Sequence, residues 1–213
     1  MTPKLKSILL FLVLGIVLPL IGRLAGLLDP RIILLTVASA LVFLTQPTPE
    51  PEEAKAKAGT DKQSFWWIAI MSLLSLHVPL IEWAYFHDMQ TQYDWSFPLG
   101  AAILVLSIVF RVWAIRTLGR FFTATVQIVN EHQVVQTGPY AWVRHPSYTG
   151  AYLSYVGTGI MLEAWWGLAF AAIAMGMAYY QRIKAEEATL HAHFGEAYER
   201  YSEKTKRLIP FVF

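Results

Sequence analysis

The chain contains no cysteine. Disulfides, thiolate metal sites and a cysteine nucleophile are therefore excluded, and thiols say nothing about redox compartment. Charge is scarce too: 15% of the 213 residues are Asp, Glu, Lys or Arg, against about a quarter in an ordinary soluble domain. Glycine-rich phosphate loops, Gly-x-Ser-x-Gly and His-Glu-x-x-His do not occur, so the usual nucleotide, serine-hydrolase and zinc-protease signatures are missing. His132 has no second ligand at metal spacing, and no metal site is expected. A net charge of +2 gives no reason to expect a nucleic-acid partner.

What the chain has instead is apolar length. Hydrophobic residues make up 55%, the mean hydropathy is +0.42, and charges are nearly absent from long runs and crowded between them. That pattern predicts an all-α, polytopic membrane protein with about six membrane segments, five at the fewest. The first run, 5–28, has a basic start like a signal peptide. It continues past Leu20 without a small-residue cleavage site, so a retained span is expected. Asp29-Pro30 marks a turn. The second run, 31–44, is short for a crossing and is read as tilted, thinned around, or half of a re-entrant hairpin. Residues 46–63, with three prolines and alternating charge, read as an exposed linker. Further spans are expected at 65–86 and 97–118, each bounded by aromatic or arginine residues. After a central loop at 119–147, a helical hairpin is expected at 148–162 and 165–183. Beyond Lys184 the tail reads as a soluble helix, with Leu190, Phe194, Tyr198 and Tyr201 at three-to-four spacing. Three regions follow: N-terminal membrane helices at 1–45, a cytoplasmic linker at 46–63, and a core with its C-terminal cytoplasmic helix at 64–213.

Basic residues orient the chain. With the N-terminus in the cytoplasm and six alternating segments, all of the 17 lysines and arginines except Arg23, Arg31 and Arg111 fall on the inner side. The positive-inside rule then places both termini, the central loop and the tail in the cytoplasm. The loop around Arg144 and the tail after Arg182 share a side and can meet.

Chemistry is expected in two stretches, 138–148 (GPYAWVRHPSY) and 182–186. Pro146 suits the first turn of a helix, which puts Arg144 and His145 just outside its start. The amides at such a start attract anions; alternatively Arg144 anchors the helix to lipid headgroups. Tyr140, Trp142 and Tyr148 add aromatic faces, either as an interfacial belt or as a surface for a cation such as a sulfonium. Arg182 and Glu186 stand four apart and share a helix face, as site residues or as a structural salt bridge. Glu187 by itself reads as a solvated helix face, and His191 and His193 as surface residues. His77, Glu82 and Arg111 lie inside membrane spans, where ionisable groups are costly and point to function; their role stays open.

GPYAWVRHPSYTG, then a helical hairpin, then RIKAEEATLHAHFGEAYERY and RLIP, resembles the isoprenylcysteine carboxyl methyltransferase family of integral membrane enzymes, over residues 127–210. Membrane enzymes that methylate phospholipid amines or small thiols share much of the pattern. The resemblance implies that S-adenosyl-L-methionine is the methyl donor. Its contacts would be Gln127, His132, Gln133, Val134, Val135, Tyr140, His145, Pro146, Ser147, Tyr148 and Glu186. Arg182 falls on the family's substrate-contacting arginine and is the candidate catalytic residue.

The expected function is methyl transfer to an amphipathic, lipid-like acceptor in the membrane, a carboxylate by first choice. A carboxylate is ionised at neutral pH and needs no general base. Positioning then supplies most of the catalysis, which suits a site with no acid–base dyad. The rivals are a phospholipid-amine or small-thiol methyltransferase and, from another class, a non-enzymatic membrane binding or transport protein.

Overall fold

Helices occupy each of the six apolar segments. The computed structural model describes residues 3–45, 62–87, 94–123, 128 and 131–208. Most of the expected linker and most of the 87–96 loop lie outside that set. Three helical stretches are long and apolar enough to cross a membrane: Leu5–Leu28, Trp66–Phe86 and Ser96–Phe121; Pro30–Thr45 is apolar but shorter. Leucine, isoleucine, valine and tryptophan side chains cover much of the outer surface, among them Leu10, Ile21, Leu106 and Trp166. The chain is an integral membrane protein.

Residues 5–28 do not form one regular helix. Helix α1 runs Pro3–Leu12, widens to a π-helical turn at Val13–Val17 and tightens to a 3-10 stretch at Leu18–Leu28, with a non-helical Arg23. Pro19 supplies the reason. In the π turn the Leu18 amide bonds back to the Val13 carbonyl, and Pro19 has no N–H to offer the Leu14 carbonyl. His77 answers that carbonyl: its Nε2 lies 3.0 Å from the Leu14 oxygen, and its Nδ1 lies 2.7 Å from the Leu73 oxygen. The histidine left without a role by the sequence ties the irregular first span to its neighbour.

Helix α2 (Pro30–Thr45) begins where Asp29 Oδ1 accepts the Arg31 amide at 2.8 Å, a side-chain cap with proline at the first helical position. Helices α3 (Lys62–Phe86), α4 (Ser96–Leu118), α5 (Pro146–Met161) and α6 (Trp165–Phe194) form the rest of the bundle. The most extensive packing is α4 on α5, followed by α3 on α6. The first pair meets backbone to backbone, because a Cβ on Gly100 would sit 2.3 Å from the Met161 amide nitrogen, and one on Gly157 2.7 Å from that of Leu104. Small residues permitting such approach are the means by which helices associate in lipid. The hairpin between α5 and α6 turns on Glu163, a non-glycine residue at φ 56°.

Two boundaries differ from the sequence reading. Helix α6 does not stop near Ile183 but continues to Phe194, so the stretch carrying Arg182 and Glu186 is a rigid extension of a membrane helix. The break comes at Gly195, φ 52°, after which a short α7 (Glu196–Lys204) turns back.

Glu82 also acquires a role. The residue before α6, Ala164, has no capping side chain, and the amides of the first turn need acceptors. Glu82, on α3, reaches across: its carboxylate accepts the Trp166 amide at 3.2 Å and the Gly167 amide at 2.6 Å. An anion there also meets the positive end of the helix dipole. Replacing Glu82 with alanine is expected to lower stability by about 1–2 kcal/mol, read as a fall in the unfolding temperature of the detergent-solubilised protein. An unchanged temperature would show that water serves those amides equally well.

Candidate active site

The site forms at the end of the bundle where α4 finishes and α5 begins. Helix α4 ends at Gly119, φ 57°, and the chain turns away through Gly119–Phe121. It returns along 131–137 to a single 3-10 turn at Gly138–Ala141. His145 sits at the cap of α5, with φ −125° and ψ 55°, and Pro146 starts the helix, as X-Pro geometry requires.

The C-terminal segment holds this corner in place. The amides of Arg144 and His145 donate to the carbonyls of Lys206 and Arg207, at 2.8 and 3.0 Å. Tyr201 Oη donates to the Tyr140 carbonyl at 2.8 Å, and Thr149 Oγ1 to that of Leu208 at 2.8 Å. Arg144 spends its guanidinium here, donating to the carbonyls of Ser202 (2.8 Å) and Thr205. Its guanidinium is engaged within the protein rather than with lipid headgroups.

At the centre is Glu187. The sequence reading placed it on a solvated face; it is buried, 7% exposed. Its Oε1 accepts Arg144 Nε at 2.8 Å and lies 3.3 Å from His145 Nε2, while Oε2 accepts Arg207 Nε at 2.9 Å. Burial alone would raise its pKa. The hydrogen bonds and charges of His145 and Arg144 prevail and hold the carboxyl at about 2, below the ordinary 4.5. Sequence spacing gave no sign of this, since the three partners lie 43, 42 and 20 positions away.

Glu186, one residue earlier, faces differently. It is about a third exposed, accepts the Tyr148 hydroxyl at 3.0 Å and lies 3.9 Å from His145 Nδ1. Together with Arg182 it lines a polar cleft of about 90 Å³. His132, Gln133, Val134, Val135, Tyr140, His145, Ser147 and Tyr148 line the same cleft. Of the candidate donor contacts, Pro146 is not among the lining residues, and Gln127 lies outside the described residues. Phe121, Thr189, Leu190, Phe194, Tyr198 and Tyr201 also line it. Four of these carry the helical spacing noted in the tail, whereas Phe121 and Thr189 had no sequence signal. His132 is stacked on Phe121, with centroids 4.8 Å apart, and its Nδ1 is buried with no hydrogen-bond partner among the described residues. Burial, and then the nearby His193, lower its pKa.

A second space adjoins the first. It is a cavity of about 510 Å³ among the membrane helices, walled by apolar residues such as Phe11, Leu35, Phe43, Leu76, Leu104 and Ile108. Phe122, Thr123, Ser147, Tyr148 and Arg182 belong to both linings. A polar cleft and an apolar chamber thus share one wall, and the buried Arg182 stands in it.

Known proteins share this arrangement of chain. A profile of the isoprenylcysteine carboxyl methyltransferase family matches residues 100–192. Protein-S-isoprenylcysteine O-methyltransferase B of Arabidopsis thaliana is 33% identical over 147 residues, which span 68% of this chain and 74% of that protein. The chain belongs to the isoprenylcysteine carboxyl methyltransferase family. Protein-S-isoprenylcysteine O-methyltransferase A of the same plant is 36% identical over the same shares. The Saccharomyces cerevisiae enzyme of that name is 33% identical over 54% of this chain and 48% of its own. A solved structure of a eukaryotic intramembrane Ras methyltransferase of this family superposes with a TM-score of 0.65 at 26% identity, covering 98% of this chain and 75% of that one. Membership makes the protein an integral membrane O-methyltransferase, and the shared fold extends to the N-terminal helices, where no motif was legible.

The Glu187 cluster predicts an acid-labile site. A carboxyl with a depressed folded-state pKa adds stability above its unfolded value and loses that contribution as the pH falls toward the folded one. Stability from Glu187 should therefore be complete above about pH 4.5 and decline as the pH approaches 2. Glu187→Ala removes the carboxylate shared by two arginines and should cost about 3 kcal/mol at neutral pH, with a shallower loss on acidification. A variant whose thermal unfolding has the wild-type value and pH profile would refute this.

Proposed function

We propose that the protein transfers a methyl group from S-adenosyl-L-methionine to the carboxylate of an isoprenylcysteine-type lipid. One observation carries this reading: the shared wall between a polar cleft and an apolar cavity of about 510 Å³, with Arg182 in it. The cleft suits the donor. Aromatic faces and the Glu186 carboxylate favour a sulfonium, and His132 Nδ1, which has no partner among the described residues, offers it a polar contact. His132, Gln133, Val134, Val135, Tyr140, His145, Ser147, Tyr148 and Glu186 would hold it, with Pro146 acting by fixing the corner. S-Adenosyl-L-methionine supplies an activated methyl; its transfer to a carboxylate oxygen forms one C–O bond, breaks one S–C bond and moves no proton.

The residues of this chain then bind, orient and exclude water. Arg182 meets the acceptor's carboxylate with a planar fork, while the apolar cavity takes the lipid tail. A dry, low-dielectric setting strengthens that contact. Arg182 must not hold the nucleophile so tightly that its ground state is favoured over the transition state. A cation at the junction also selects among acceptors: it welcomes a carboxylate and repels a protonated amine, which argues against the phospholipid-amine alternative. The positive-inside distribution supports a cytoplasmic site, with both termini on that side.

Arg182→Ala should reduce turnover on the order of 10²-fold with donor affinity near wild type, and Arg182→Lys should restore only part of it. Glu186→Ala should do the reverse, weakening donor binding with little loss of stability. Calorimetry with S-adenosyl-L-methionine alongside a methyl-transfer assay distinguishes them; loss of donor affinity in folded Arg182→Ala would make that arginine a support for the cleft. Orientation is checked by placing a single cysteine at Thr91 in this cysteine-free chain. Labelling from the extracytoplasmic side is expected, and labelling only from the cytoplasm would invert the topology.

A further inference from the structure

The apolar cavity has a blind end. Four helices line it down to one level and stop: Leu35 on α2, Leu76 on α3, Leu104 on α4 and Thr158 on α5. One turn farther from the cleft the same helices carry Ile32, Leu80, Gly100 and Met161, all outside the lining. Ile32, Leu80 and Met161 are 0% exposed, and together with the fully buried Trp83 three of these residues belong to one packed cluster. Gly100 is where α4 and α5 come closest, since a Cβ on it would enter the Met161 backbone. An interior at such density has no room for further atoms. The Thr158 hydroxyl donates to the Ser154 carbonyl at 2.8 Å; it is spent within its own helix, and a hydrocarbon end can rest on this floor.

The opposite end of the cavity is the wall shared with the cleft, at Ser147 and Arg182. Thr158 follows Ser147 by eleven residues of α5, roughly 16 Å along the axis. A fully extended chain advances about 1.1 Å per bond. From carboxyl carbon to tail end, S-geranylcysteine then spans roughly 12 Å, S-farnesylcysteine roughly 17 Å and S-geranylgeranylcysteine roughly 21 Å. With the carboxylate at the wall, the ten-carbon tail stops short of the floor and the fifteen-carbon tail reaches it. The twenty-carbon tail overruns by about one helical turn.

We infer that the cavity gauges the length of the acceptor's tail, that Leu104 and Thr158 set the gauge, and that it selects a fifteen-carbon isoprenoid. This rests on the proposed carboxylate methylation and narrows its substrate class. A shorter tail leaves apolar wall uncovered and forfeits dispersion contacts. A longer one must fold back or draw its carboxylate away from Arg182, and misplacement of the reacting atoms is costly in rate.

The experiment uses the full chain in lipid nanodiscs and measures kcat/KM for the N-acetyl derivatives of S-geranylcysteine, S-farnesylcysteine and S-geranylgeranylcysteine. Donor binding is followed by calorimetry with S-adenosyl-L-methionine. An apolar pocket discriminates a single methylene by about tenfold or more, so wild type should favour the farnesyl acceptor over both others by at least about tenfold. Leu104→Ala lowers the floor and should bring the geranylgeranyl acceptor to within about threefold of the farnesyl one. Thr158→Leu raises the floor and should reduce farnesyl transfer about tenfold, with geranyl transfer and donor affinity within about twofold of wild type. Should Leu104→Ala unfold, Thr158→Leu still decides. Equal wild-type efficiency on the farnesyl and geranylgeranyl acceptors would overturn the inference, as would an unchanged farnesyl-to-geranyl ratio in folded Thr158→Leu. A wild-type protein that binds the donor but methylates none of the three acids would instead overturn the parent reading, and that failure shows before any variant is made.

Discussion

A single buried carboxylate organises the end of the bundle that carries the cleft. Glu187 accepts from Arg144, before α5, and from Arg207, in the C-terminal segment, with His145 at the α5 cap in contact. Two separated pieces of chain therefore converge on one side chain of α6. Because α6 is continuous from the membrane region to Phe194, this anchor is rigid with respect to the bundle. The corner at His145, the return of the tail along Lys206 and Arg207, and the placing of Tyr148 against Glu186 all depend on it. Buried ion pairs are poor sources of net stability; here the cluster selects one geometry among those open to a long irregular loop.

The division of labour between the adjacent glutamates follows from helix geometry. Successive residues on a helix point about 100° apart, so Glu186 and Glu187 present to different surroundings. Glu187 is turned to the arginines and is spent on structure. Glu186 is turned to the cleft, where it meets the Tyr148 hydroxyl and, more distantly, His145. One turn earlier Arg182 reaches the wall between cleft and cavity. A single helix thus carries the anchor, the cleft carboxylate and the junction cation in fixed relation.

Elsewhere the ionisable groups of the spans repair helix defects. Glu82 caps α6, whose own preceding residue is an alanine. His77 meets the carbonyl that Pro19 leaves without a donor. Within membrane spans such backbone groups need partners, and polar side chains from neighbouring helices supply them. Arg111 donates to the Ser147 carbonyl and lines the apolar cavity.

The chain's own pattern was enough for the class of protein and the neighbourhood of its chemistry. Long apolar runs cannot leave backbone amides unpaired in a bilayer, so helices follow from composition. The Arg-His-Pro corner follows from proline's restriction of its predecessor, and the i, i+4 pairing of Arg182 with Glu186 put both on one face. Those constraints are local. Which charges are structural and which face the cleft was decided only by tertiary packing: Glu187 looked like surface because its partners are tens of residues away, and Arg144 could be read as a headgroup anchor because the tail that claims it is equally remote. The break in the first span, the cap on α6 and the floor of the cavity likewise arise where separate helices meet, at Leu14 and His77, at Glu82 and Gly167, and at Gly100 and Met161. Periodicity records what one segment does by itself; it holds no record of which segment lies against it.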